Sequence, residues 1–161
     1  MKKTLIGLMA LSTLSTASAA NYVGGSIGTG GSIHYQQDRA PGTATRYSLD
    51  LNTTGFNFGT LSLGGSVDYL VNIPNQTPSA LVPYYGAGLG ASVGLNSAAA
   101  GVGLYPHVLL GAKYNLSAPL SIFGEVNAGP VVGFATSGGQ SGVGFSFGWG
   151  ARLGLNYMLG N

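Results

Sequence analysis

The chain has 161 residues, of which 29 are glycine and none cysteine, with 45% hydrophobic and only 6% charged residues. An ordinary soluble domain carries roughly 25% charged residues, which argues against a freely soluble enzyme of ordinary surface. The absence of cysteine removes disulfides, thiolate catalysis, cysteine-ligated metal and a lipid-modified cysteine.

At the N-terminus, Lys2 and Lys3 precede the apolar run Leu5 to Leu11 and the small-residue stretch Ala17-Ser18-Ala19-Ala20. A positive segment, an apolar segment and an A-x-A site in that order predict a secretory signal peptide over residues 1–20. The run is too short and too rich in Ser and Thr for a spanning helix. Cleavage leaves Arg39, Arg46, Lys113 and Arg152 against Asp38, Asp50, Asp68 and Glu125. The formal charge of +2 therefore belongs to the signal, residues 21–161 are neutral, and no nucleic-acid partner follows from it.

Downstream, apolar residues recur at every second position. Val23, Ile27, Ile33 and Tyr35 share a phase, followed by Tyr47, Leu49 and Leu51, then Leu61, Leu63, Val67, Tyr69 and Val71. Leu81 to Leu95 keeps the odd phase, Val102 to Leu116 and Leu120 to Phe134 take the even one, and Val143 to Leu159 returns to odd. Side chains alternate faces along a strand, so these are two-faced strands. Glycine in nearly every run opposes helix. Turn residues separate the runs at Asp38–Gly42, Pro74–Pro78, Asn96-Ser97, Ser117–Pro119 and Ser137–Gln140. A phase flip between Phe58 and Leu61 predicts a bulge or tight turn there. The runs count seven, or eight if residues 44–60 form two short strands. Such spacing means a β-sandwich or an up-and-down barrel.

Alternation alone does not say which face is inside, but the charges do. Arg46, Asp50, Asp68, Lys113, Glu125 and Arg152 all fall on the small, polar face, with His34, His107, Asn127 and Asn156. Exposed to water, that face would make a surface far poorer in charge than soluble proteins carry. Lining a closed lumen, the three basic and three acidic groups can pair, because buried charges must pair or cost several kcal/mol each. The apolar face then meets lipid, with Tyr35, Tyr47, Tyr69, Tyr85, Tyr114, Phe134 and Tyr157 near its margins. The alternative is the inverse arrangement, an exported soluble barrel of lipocalin type holding an apolar ligand.

The opening Tyr22-Val23-Gly24-Gly25-Ser26-Ile27-Gly28, the segment Pro83-Tyr84-Tyr85-Gly86-Ala87-Gly88-Leu89-Gly90 and the alternating last strand resemble small outer-membrane β-barrel proteins. The nearest types are the OmpA transmembrane domain, OmpX and OmpW. The resemblance implies a closed antiparallel up-and-down transmembrane barrel of eight strands over residues 21–161. It also implies outer-membrane lipids and the barrel-assembly machinery as partners, with both termini in the periplasm. Such barrels usually end in an aromatic residue, whereas this sequence ends Met158-Leu159-Gly160-Asn161.

The expected function is a structural role, or a narrow small-solute channel through the paired-charge, glycine-rich lumen. No catalytic role is expected: a hydrolase reading of His34 and His107 would need them at the lipid-facing rim. Two histidines among scattered carboxylates have no metal-ligand spacing, and no cofactor is expected. Gly86-Ala87-Gly88-Leu89-Gly90 lacks the helix and lysine of a phosphate loop.

Overall fold

In a computed structural model of the protein, residues 20–53, 61–74, 80–96, 99–137 and 140–159 are described. The signal peptide and the phase flip at Phe58–Leu61 fall largely outside them. Eight strands follow in order: β1 (Asn21–Gly28), β2 (Gly30–Ala40), β3 (Thr43–Thr53), β4 (Leu61–Asn72), β5 (Leu81–Asn96), β6 (Ala99–Asn115), β7 (Leu120–Ser137) and β8 (Gln140–Met158). Each pairs antiparallel with its sequence neighbours, and β1 pairs with β8 to close the barrel. Closure leaves no edge where the ring is complete, which a lipid-embedded sheet requires.

The eighth strand does not come from dividing residues 44–60, since β3 is continuous from Thr43 to Thr53. It comes from dividing the first run at Thr29. Partners across an antiparallel pair face the same side. In the β1–β2 pair they have the same parity, as in Val23↔Tyr35 and Ile27↔Gly31. The alternation therefore passes through this hairpin without a change of phase, and two strands read as one. Apart from the register shift at Asp38/Ala40, odd pairs with even at Leu89↔Pro106 between β5 and β6 and at Glu125↔Arg152 between β7 and β8. Both coincide with shifts of the sequence pattern, from odd to even after Leu95 and back to odd at Val143.

Apolar residues point outward. Ile27, Leu49, Leu89, Val108 and Leu153 are all exposed, as are the bulky Phe145 (79%) and Trp149 (74%). Six outward tyrosines, Tyr35, Tyr47, Tyr69, Tyr85, Tyr114 and Tyr157, lie towards the end of the barrel that carries the termini and the Pro41-Gly42 turn. Phe134, Phe145, Phe147 and Trp149 mark the opposite end on β7 and β8. Inside, Ala44, Leu70, Tyr84, Leu109 and Phe123 form one small buried cluster, outnumbered by buried polar side chains.

Strand length grows around the ring, from 8 residues in β1 to 19 in β8. The wall is therefore low at β1–β2 and tall at β7–β8.

Candidate functional site: the lumen charge cluster and its cavity

The centre of the lumen is built from two cross-strand acid–base pairs on opposite walls. Arg46 of β3 lies directly across from Asp68 of β4, and Glu125 of β7 directly across from Arg152 of β8. The alternation of each strand turns all four side chains inward. Arg46 and Asp68 are 1% and 0% exposed, and Glu125 is also buried.

The two pairs join across the barrel. Arg46 Nε and Nη2 donate to Asp68 Oδ2 at 3.1 and 2.8 Å. Its Nη1 and Nη2 also donate to Glu125 Oε2 and Oε1 at 2.8 and 2.9 Å. Arg152 donates to Glu125 and, at 3.3 Å, to Asp68 Oδ2. Tyr84 donates its hydroxyl to Glu125 Oε2 at 2.8 Å. Asp50 sits at the margin, 3.9 Å from Arg152 Nη1, and accepts from Ser66 Oγ at 3.1 Å. A planar guanidinium offers five donors in a fixed fork, which is why arginine, rather than lysine, can bridge two carboxylates at once.

His107 completes the cluster. Its Nε2 lies 3.0 Å from Asp68 Oδ1 and its Nδ1 lies 3.0 Å from the Tyr105 carbonyl oxygen. Each ring nitrogen is thus placed within hydrogen-bond distance of an oxygen, one on a carboxylate and one on a backbone carbonyl. Two guanidiniums, Arg46 and Arg152, face two buried carboxylates, Asp68 and Glu125, with Asp50 at the margin.

The remaining polar residues singled out in the sequence stand around this cluster. His34 Nε2 is 2.6 Å from Asn156 Oδ1, and Asn127 accepts from the Tyr105 hydroxyl at 2.9 Å. Lys113 does not join the cluster: it lines a separate cavity of about 40 Å³ with Asp38, its ammonium 5.9 Å from the Tyr22 ring. The physical reason is register. Its β7 partner is Phe123, whose ring packs 5.7 Å from the Arg46 guanidinium, so an apolar layer begins at that level. Tyr84 and Tyr105 were not singled out in the sequence. The signal for Tyr84 was present, because of two adjacent tyrosines on a strand one must face inward.

Glycine makes the dense packing possible at two positions. A Cβ on Gly88 would collide with the Asp68 carboxylate and the His107 ring, and one on Gly111 would press on Tyr84 and on Glu125 Cβ. Away from the termini, the same residue type leaves space instead. A cavity of about 350 Å³ opens there, with Asp50, Tyr105, His107 and Arg152 in its wall and Gly64, Gly90, Gly148 and Gly150 around it. Missing side-chain volume is thus filled at the level of the cluster and left open towards the far end.

No family model and no curated protein sequence matches the chain. Solved structures do. A major outer membrane protein of Thermus thermophilus is 18% identical with a TM-score of 0.54, covering 89% of this chain and 100% of that one. The N-terminal β-barrel domain of Pseudomonas aeruginosa OprF is 14% identical with a TM-score of 0.56, covering 88% and 96%. Neisserial surface protein A is 15% identical with a TM-score of 0.51, covering 86% and 93%. At this identity the likeness is one of fold, and the chain has the closed eight-stranded architecture of small outer-membrane β-barrels.

Proposed function

We propose that the protein is an exported, integral outer-membrane barrel with a structural role and a lumen stoppered by its own side chains. The observation that carries this reading is the ion-paired layer of Arg46, Asp68, Glu125 and Arg152, with His107 on Asp68, which bridges the β3–β4 wall to the β7–β8 wall. The likeness to outer-membrane barrels and the apolar exterior support the membrane location. A soluble ligand carrier needs the reverse polarity, with apolar side chains inside. Lipid would contact the apolar face, and the chain would reach it through the signal peptide and the barrel-assembly machinery.

A non-catalytic role fits the histidines, each held by a partner in the lumen: Asn156 for His34, Asp68 for His107. The narrow-channel reading draws on the two cavities that flank the stopper. Planar-bilayer recording of folded protein decides between them. The stoppered barrel gives no conductance steps above baseline, and regular steps from the unaltered protein overturn it. Fractionation tests the location: the expected result is a membrane-bound, heat-modifiable band on unboiled gels, whereas a periplasmic, detergent-free pool favours the soluble carrier.

A further inference from the structure

The low wall and the tall wall meet at the β1–β8 seam, and they do not match. Pairing there runs from Tyr22↔Met158 to Gly28↔Arg152. The last bond is from the Thr29 N–H to the Ala151 carbonyl. Among the described residues, β8 from Gln140 to Gly150 then pairs with β7 alone. Within a strand, both backbone groups of one residue point to the same side. The Thr29–Ala151 bond fixes that phase, so the N–H and C=O of Trp149, Phe147 and Phe145 point into the vacated side. A spanning strand needs about 9–11 residues, and β1 has 8. With Thr29 bonded to Ala151 the paired wall at this seam only just reaches that length, while β8 continues back to Gln140, and a notch is left beside β8.

The notch opens onto the large cavity. Thr29, Gly30 and Gly31 on one side and Gly148, Trp149 and Gly150 on the other all border it. Behind them the cavity presents Ser26, Ser32, Ser66, Tyr105 and Asn127, which are hydroxyl and amide groups. Outside, Phe145, Phe147 and Trp149 form an exposed aromatic strip along the open edge. An unpaired edge in lipid requires hydrogen-bonding partners, and an aromatic strip requires apolar ones.

We propose that notch and cavity form a binding site for a single-chain amphiphile of the surrounding membrane, with an uncharged, hydroxyl-rich head. The head occupies the cavity and reaches the open edge, and the acyl chain leaves through the notch along Phe147 and Trp149. The head is uncharged because Arg152 at the cavity floor is already engaged with Asp50, Asp68 and Glu125, and a charged head would have to break those pairs. This proposal rests on the membrane reading given above.

Trp149 is the only tryptophan of the chain, so intrinsic fluorescence reports on the notch directly. The full barrel is folded into phosphatidylcholine vesicles and titrated with a monoacylglycerol brominated on its chain. Brominated phosphatidylcholine and a brominated fatty acid serve as comparators. The site gives quenching by the monoacylglycerol that saturates at low mole fraction, while brominated phosphatidylcholine quenches only in proportion to its abundance. Gly90→Met fills the cavity from a position whose nearest neighbours lie 3.6 Å from the new Cβ. It abolishes the saturable part and keeps the proportional part. If that variant does not give the heat-modifiable folded band, Ser92→Leu makes the same test from a second cavity-lining position. Equal, proportional quenching by all three lipids overturns the site but not the membrane reading. Saturation by the fatty acid as tight as by the monoacylglycerol overturns the uncharged head. Failure of brominated phosphatidylcholine to quench Trp149 at all places the notch outside the lipid and overturns the site, whereas failure of the protein to fold into the vesicles overturns the membrane reading.

Discussion

Arg46 is the residue on which the lumen turns, because one guanidinium satisfies carboxylates from both walls. Replacing it with Met keeps the length of the side chain and removes every donor. Asp68 and Glu125 then remain buried with Arg152 as the guanidinium they share. Loss of one partner of a buried pair costs about 3–5 kcal/mol, so Arg46→Met is expected to lower unfolding stability by that order in denaturant titration of the detergent-folded barrel. Adding Glu125→Gln to it should cost less than the two single changes together, as a double-mutant cycle would record. Gly88→Ala tests the packing of the same layer: its Cβ meets the Asp68 carboxylate and the His107 ring. Overpacking of this kind costs about 1–3 kcal/mol, and the same titration reads it. The acidic and basic residues of the cluster were legible in the sequence from their shared phase. That Arg46 would reach Glu125, 79 positions away, was not, because the contact depends on how the ring closes.

Among the strands, hairpins decide how much of the alternating pattern survives into the sequence. A hairpin whose partners share parity and whose turn has no Pro, Asn or Asp goes unseen, as at Gly28-Thr29-Gly30, whereas one that pairs odd with even announces itself. The Pro41-Gly42 turn is conspicuous for a different reason. Gly42 sits at φ +78°, in the left-handed region that L side chains avoid, and its carbonyl accepts from the Asn72 N–H at 2.7 Å. Gly42→Ala is expected to destabilise the barrel by about 1 kcal/mol, measured as a lower denaturant midpoint with an unchanged slope. Pro106 and Pro130 mark another local feature. The β6–β7 ladder is interrupted between Leu104↔Val132 and Val108↔Ala128, where neither proline has an N–H to contribute. Sequence alone placed both prolines inside strands, but their facing one another is a fact of register.

Across the whole molecule, polarity is inverted relative to a soluble protein: ion pairs at the centre and leucines, valines and aromatics at the surface. This inversion predicts how the exterior responds to charge. Leu89 points outward between Tyr85 and the far end of β5. Leu89→Arg is expected to cost about 2–4 kcal/mol when the barrel is folded into bilayers, the range for arginine at the membrane midplane. Equilibrium folding into lipid vesicles measures it. A near-neutral effect would place that position in water. The uneven wall, from β1 to β8, is likewise a property of the whole ring, since it arises from eight strand lengths and not from any one of them.

Strand class, the two faces and the segregation of charge could be read along the chain, because alternation and turn chemistry are local and a strand writes them residue by residue. The resemblance to small outer-membrane barrels was carried by patterns of the same kind. Three features came from the folded ring instead: the division of the first run into two strands, the separation of Lys113 from the charge cluster, and a glycine-lined lumen packed shut at one level and hollow at another. The notch beside β8 is a fourth. Each of these depends on which residues become neighbours across the ring. Cross-strand register and closure set those neighbours, and neither leaves a periodic trace along the chain.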